Sequence, residues 1–288
     1  IKPRAFVVEN VKGLLRPMFS DYFQYILLRL EFPERPVRSS ETWQDHLRRL
    51  QKAKSSSSQT KNELTYNVIP TLVNAADYGV PQKRERVFIV GFRSDLGIKW
   101  SFPEPTHSLD ALKWTQRSGG ESWERHGIDS PSAKNSVKRP TGGKLPWRTV
   151  RDALSDLPEP KLQGSPVYMN HELRIGAKVY PGHTGSVLDM PSKTLKAGVH
   201  GVPGGENMLI MDNGQPRYYT VREAARIQTF PDGYALNGSW TEAMRQIGNA
   251  VPVLLAQKVT SSIAEAILMN EIQYRKANGV RRGVSWAV

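Results

Sequence analysis

The unbroken apolar run Val87-Phe88-Ile89-Val90-Gly91-Phe92 constrains this chain more than any other feature. A run that short and that apolar suits a β-strand buried on both faces, because a strand with one wet face alternates apolar and polar residues. Ala5-Phe6-Val7-Val8 is a second such run, and a further strand is expected over Tyr66 to Val73. After the Ala5 run come Phe19, Tyr22, Phe23, Ile26, Leu27 and Leu30, spaced by three and four as in the apolar stripe of a helix. A short helix is expected around Trp43 to Lys52, followed by a solvated loop at Ser55 to Ser58. Strand, helix, strand in that order implies an open parallel sheet with covering helices, so the expected fold class is α/β.

The texture changes after about Arg93. Residues 94 to 216 carry many Pro, Gly, Ser and Trp residues with weak periodicity. They read as an irregular, loop-rich second domain, with Trp100, Trp114, Trp123 and Trp147 in its core. Helical order returns at Thr220, where Thr220 and Glu223 have the spacing of a capping box. A last helix is expected from about Pro252 to Asn270, burying Val253, Leu254, Ala256, Val259, Ile263, Ala266 and Ile267. The expected organisation is a first domain portion of parallel sheet and helices at 1–93, a second domain at 94–216, a hinge at 217–247, and a C-terminal helix at 248–288 returning to the first domain. A chain of 288 residues has room for about two domains.

Forty Lys and Arg against 27 Asp and Glu leave a formal charge of +13. The excess is +7 in residues 1–100, +4 in 101–200 and +2 in the remainder, so it is no single basic tail. Such a balance favours a polyanionic partner, nucleic acid before membrane, since each neutralised phosphate releases counterions. Cysteine is absent, which excludes disulfides, cysteine-ligated metals and a thiol nucleophile within these 288 residues. The six histidines lack metal-ligand spacing, and no metal site is expected. No apolar run reaches the roughly 18 residues a bilayer span requires, and no signal peptide is evident. The sequence opens at Ile1, almost directly in a strand, and is expected to be part of something longer.

Three segments carry chemistry. Phe6-Val7-Val8-Glu9-Asn10-Val11 puts a carboxylate at the end of a strand, where open α/β sheets bind ligands; Glu9 also suits a cap on the next turn. Asp77-Tyr78-Gly79-Val80-Pro81-Gln82-Lys83-Arg84-Glu85-Arg86 places Arg84 and Arg86 two residues apart, on one face of a strand. Two such guanidiniums need an anion or carbonyl-rich ligand between them, unless the strand is a solvated surface. The third segment runs from Arg217 through Tyr218-Tyr219-Thr220-Val221-Arg222-Glu223-Ala224-Ala225-Arg226-Ile227-Gln228-Thr229-Phe230 to Pro231, and Gly248-Asn249-Ala250-Val251-Pro252 follows. Asn249 suits either a ligand carboxylate or a helix cap.

In this order and spacing the segments resemble the C-terminal two-thirds of a bacterial, restriction-modification type DNA (cytosine-5) methyltransferase. The resemblance implies the second half of a Rossmann-like S-adenosylmethionine-dependent methyltransferase sheet plus a smaller, loop-rich target-recognition domain. It implies catalytic roles for Glu9, Arg84 and Arg86: Glu9 protonates cytosine N3 and binds the exocyclic amine, Arg86 binds O2 of the flipped base, and Arg84 supports the catalytic loop. It gives Asn249 and Ala250 to the S-adenosylmethionine pocket. Thr220, Arg222, Glu223 and Arg226 fall to the hinge. Thr194, Leu195, Gly198 and His200, with Gly201, Gly204 and Gly205, resemble the target-recognition core that meets double-stranded DNA, although a plain surface loop has the same composition.

Three parts of that family's machinery are missing: the glycine-rich cofactor loop, the acidic residues for ribose and adenine, and the Pro-Cys nucleophile loop. The chain alone is therefore expected to be inactive, either as a piece of a longer polypeptide or as half of a split enzyme complemented by an N-terminal subunit. A bacterial or phage origin and a cytoplasmic, nucleoid-associated location follow from the resemblance. Two rivals stand beside it: a DNA-binding relative that kept recognition and lost chemistry, and an unrelated parallel-sheet enzyme acting on a small metabolite.

Overall fold

A computed structural model describes residues 1–56, 63–131, 137–197 and 207–278. In chain order the elements are β1 (Ala5–Val11), α1 (Ser20–Glu31), α2 (Trp43–Ser55), β2 (Tyr66–Asn74), β3 (Glu85–Arg93), β4 (His107–Ser108), α3 (Leu109–Thr115), α4 (Glu121–His126), β5 (Leu145–Pro146), α5 (Val150–Leu154), β6 (Ser186–Val187), β7 (Met208–Ile210), β8 (Pro216–Tyr218), α6 (Val221–Ile227), α7 (Trp240–Asn249) and α8 (Val253–Ala277). The fold is α/β with several small sheets. Two compact units divide it: residues 1–73, 85–103 and 259–288 in the first, 74–84 and 104–258 in the second.

The first unit is built on a three-stranded sheet in the order β1-β3-β2. The apolar run found in the sequence is its central strand, with Val87, Phe88, Ile89, Val90 and Phe92 all buried. The β1–β3 pair is antiparallel, from Ala5 opposite Phe92 to Val11 opposite Arg86, where a parallel sheet was expected. Unbroken apolar runs report burial on both faces and carry no direction, which is the reason for the error. Thr42 and Asp45 close a capping box at the start of α2, which packs Leu47 and Leu50 on Tyr25, Leu28 and Phe32. That contact uses the Tyr25–Leu28–Phe32 edge of α1 and leaves Phe19 and Tyr22 exposed, against the stripe read from spacing. Trp100 also belongs to this unit, tilted against Phe92, edge-to-face with Phe102 and donating to Ser262, so it is no part of a second-domain core.

The second unit holds the β4–β5 pair and the sheet β6-β7-β8. Its main core joins Val150, Leu154, Leu195 and Leu209 to Tyr219, Ile227, Met244 and Ile247. The segment 217–247 thus shares one core with residues from 150 to 209. The capping box at α6 forms as the spacing implied, Thr220 accepting from the Glu223 amide and Glu223 from the Thr220 amide.

The last helix begins at Val253 and extends beyond Asn270. It buries Val259 and Ile263, as the stripe read from sequence expected, and departs from it at the start, where Leu255 is buried and Val253 exposed. One window within Trp240–Ala277 is long and apolar enough to cross a membrane by length and composition, contrary to the sequence expectation.

Candidate active site

Glu9 lies near the end of β1, opposite Phe88, while Arg86 opens β3 opposite Val11. Glu9 and Arg86 are therefore diagonal neighbours on one face of the pair, within reach of long side chains. The Arg86 Nε sits 2.8 Å from Glu9 Oε1, and the Glu9 side chain is 26% exposed. Arg86 also donates from Nη1 to the Glu85 carbonyl at 2.8 Å. Burial pushes the Arg86 guanidinium below its ordinary value, and the Glu9 charge partly restores it. The pair is a carboxylate and a guanidinium held together at a strand end, with the carboxylate still open to solvent.

Arg84 behaves differently. The chain enters β3 only at Glu85, so strand alternation does not govern Arg84, and the two arginines do not share a ligand. Arg84 is 1% exposed. Its Nη1 donates to the Leu195 carbonyl at 3.1 Å, and its Nη2 to the carbonyls of Gly248 at 2.6 Å and Ala250 at 3.0 Å. The carbonyl-rich ligand expected from sequence is the protein's own backbone. A planar, permanently charged fork is the side chain best suited to gather three carbonyls from distant parts of the chain.

Two residues that sequence reasoning passed over complete this clasp. Gln82 accepts from the Leu195 amide at 3.1 Å and donates to Gln228 at 3.1 Å. Gln228 donates to the carbonyls of Ile247 at 2.6 Å and Ala250 at 3.1 Å, and its own carbonyl accepts from Val253. Both glutamines are fully buried. Their signal was present: each is an uncharged polar residue inside a quoted motif, and a buried amide needs partners. The Asp77–Arg86 segment, the Arg217–Pro231 segment and the Gly248–Pro252 turn thus meet through Gln82, Arg84 and Gln228.

Two glycines allow this. Gly79 has φ +87°, and a Cβ there would strike the His107 ring at 2.8 Å. At Gly248 a Cβ would lie 2.4 Å from the Ala197 amide nitrogen, because the Lys196–Ala197 backbone passes directly over it. Asn249 is the last residue of α7, not the cap of α8; it is exposed, and its side chain makes no hydrogen bond among the described residues. Ala250 has no backbone capacity left for a ligand. Its carbonyl accepts from Arg84 and Gln228, and its amide donates to Gln246 and Ile247.

Thr194 and Leu195 serve as anchors. Leu195 is 1% exposed in the main core, and the Thr194 hydroxyl donates to the Lys83 carbonyl at 2.7 Å. A leucine so enclosed cannot offer its side chain to DNA, which corrects that part of the sequence expectation. Gly198, His200, Gly201, Gly204 and Gly205 lie outside the described residues. Arg222 is buried and donates to the carbonyls of Met169, Pro231 and Tyr234, while Arg217 and Glu223 form a two-point ion pair. Among the described residues no group of three His, Asp or Glu is placed to hold a metal ion.

Residues 46–265 match the family model described as C-5 cytosine-specific DNA methylase. The chain is 31% identical to the type II methyltransferase M.NgoFVII of Neisseria gonorrhoeae over 255 residues, 87% of this chain and 56% of that protein. It is 32% identical to M.BsuRI of Bacillus subtilis over 226 residues, 69% of this chain and 42% of that protein. The chain spans about half the length of the curated relatives it matches. Among solved structures it is similar to the Dnmt2 methyltransferase of S. pombe, at 18% identity and a TM-score of 0.45 over 92% of this chain and 68% of that one. With its family model covering most of the sequence, the chain belongs to the C-5 cytosine-specific DNA methylases.

Proposed function

We propose that this chain is part of a DNA cytosine-5 methyltransferase that transfers a methyl group from S-adenosylmethionine to C5 of a cytosine flipped out of a specific duplex sequence. The observation that carries the reading is the Glu9–Arg86 pair at the strand end, in a chain of this family. A cytosine seated there presents N3 and the exocyclic amine to a carboxyl group and O2 to a guanidinium. Glu9 binds the amine and moves a proton to N3, draining charge from the ring when a nucleophile adds at C6. Arg86 holds O2 and fixes the Glu9 carboxyl. Arg84 acts through the backbone, holding the turn that carries Asn249.

The exposed Asn249 amide fits the polar end of an amino-acid-like cofactor, offering both a donor and an acceptor. Ala250 contributes shape alone. S-adenosylmethionine, when bound, supplies an electrophilic methyl group. Residues 94–216 are assigned to target recognition, and the working location is the cytoplasm of a bacterium. Because the nucleophile of this chemistry is a thiolate and the 288 residues contain no Cys, the chain alone does not methylate DNA. A second polypeptide segment supplies the thiolate and cofactor loop. An exposed apolar edge supports such a segment: β1 is an edge strand, and Val7 and Val11 on one face, Val8 on the other, and Met18 at 78% exposure further along the chain, stand in solvent.

Glu9→Gln in the complemented enzyme tests the assignment. The expected outcome is a methylation rate lowered by at least about a hundredfold, the usual weight of a general acid, with DNA affinity nearly unchanged. Equal loss of rate and affinity would remove Glu9 from the chemistry.

A further inference from the structure

The second unit carries a groove of about 700 Å³ that none of the motifs touches. Lys113, Lys138, Arg139 and Lys144 line it, and Asp110 is its one acidic residue. All four cations are exposed, and none makes an ion pair or side-chain hydrogen bond among the described residues. Arg148, Lys161 and Lys178 are likewise exposed and unpaired among the described residues of the unit, and this groove gathers four such cations. Arg125, Arg151, Arg217, Arg226 and Arg245 are each committed to carboxylates there. Charge that has been paired internally attracts little; charge left free on one surface attracts a polyanion.

The frame around the groove is fixed. β4 and β5 pair in parallel at His107–Leu145 and Ser108–Pro146, and α3 leaves β4 with the Ser108 hydroxyl accepting from the Ala111 amide. Lys113 is therefore presented from a helix, Lys144 from the residue before β5, and Lys138 and Arg139 from the loop that leads to it. Cations on three separate segments, all exposed and without a buried polar cup, do not form a pocket for a small anion. They suit an anion repeated along a line.

We propose that this groove is a DNA-backbone contact, taking the phosphodiesters of the duplex without reading its bases. The proposal rests on the reading of the chain as a DNA methyltransferase and assigns one surface of it. Contacts of this kind set affinity and register and carry no sequence information. They also have a signature: each phosphate neutralised contributes about 0.9 to the slope of log affinity against log salt on duplex DNA.

The test uses the whole 288-residue chain and measures that slope on two duplexes of unrelated sequence, for the wild type and for the quadruple variant K113Q/K138Q/R139Q/K144Q. The expected result is a slope reduced in magnitude by about 3.6, with affinity lost equally on both duplexes. A charge-preserving variant, K113R/K138R/R139K/K144R, keeps the wild-type slope and shows that loss of charge, not of folding, is responsible. An unchanged slope in the quadruple variant would overturn the groove and leave the DNA reading standing. A wild-type chain with no salt-dependent affinity for any duplex would overturn both. Loss on one duplex alone would make the groove a base-reading surface and also contradict the proposal.

Discussion

Arg84 and Arg86 stand two residues apart and do opposite things. Arg86 is committed to a solvent-accessible carboxylate, whereas Arg84 is enclosed and gathers the carbonyls of Leu195, Gly248 and Ala250. Arg84→Ala should therefore be a stability defect, costing about 2–4 kcal/mol because buried carbonyls lose a charged partner. Chemical denaturation of the chain alone reads this, and a loss under about 1 kcal/mol would contradict the clasp. Arg86→Ala should change the unfolding free energy by less than about 1 kcal/mol and cut turnover in the complemented enzyme. The reverse partition would exchange the two roles. Sequence spacing located both arginines and did not distinguish them, because the two-residue period applies only within a strand and β3 starts at Glu85. Gln82 and Gln228 were legible only as polar residues inside motifs. Their partners are 146 and 113 residues or 19 residues away, at Gln228, Leu195 and Ile247, and no local pattern encodes such pairings.

At the scale of elements, local signals served well. The box at Thr220 and Glu223 forms, as does the central strand, because capping spacing and unbroken apolar runs depend on neighbours in sequence. Strand direction and helix face were not legible. They depend on which elements pack together: α1 uses Tyr25, Leu28 and Phe32 against α2, and α8 turns Leu255 inward. Two substitutions test the elements of the second unit. Thr220→Ala removes the cap and the His171 contact at 3.0 Å, and should cost about 1–2 kcal/mol. Gly248→Ala forces a methyl into the Lys196–Ala197 backbone and should cost about 2–3 kcal/mol or more. A neutral Gly248→Ala would mean that the turn does not depend on this close approach.

For the whole molecule, the division into units interleaves along the chain, which crosses at 73–74, 84–85, 103–104 and 258–259. Composition changes are read as contiguous blocks, so the interleaving that returns 74–84 to the second unit and keeps 85–103 in the first was not legible. The net charge of +13 indicated a polyanionic partner without locating it. The exposed apolar residues of β1 make a further prediction. Amides of Phe6–Val11 should exchange hydrogen rapidly at the unpaired edge in the chain alone, and slow by about tenfold or more when a complementing polypeptide is present. Equal exchange in both states would remove β1 as the site of complementation.

The fate of the methyl group distinguishes cytosine-5 transfer from every alternative. The complemented enzyme is incubated with duplex DNA and methyl-labelled S-adenosylmethionine, the DNA is digested, and the labelled nucleoside is identified. Label is expected in 5-methylcytosine, and none when the 288-residue chain is used alone. Label on an exocyclic amine, or tight DNA binding with no transfer by the complemented enzyme, would contradict cytosine-5 transfer.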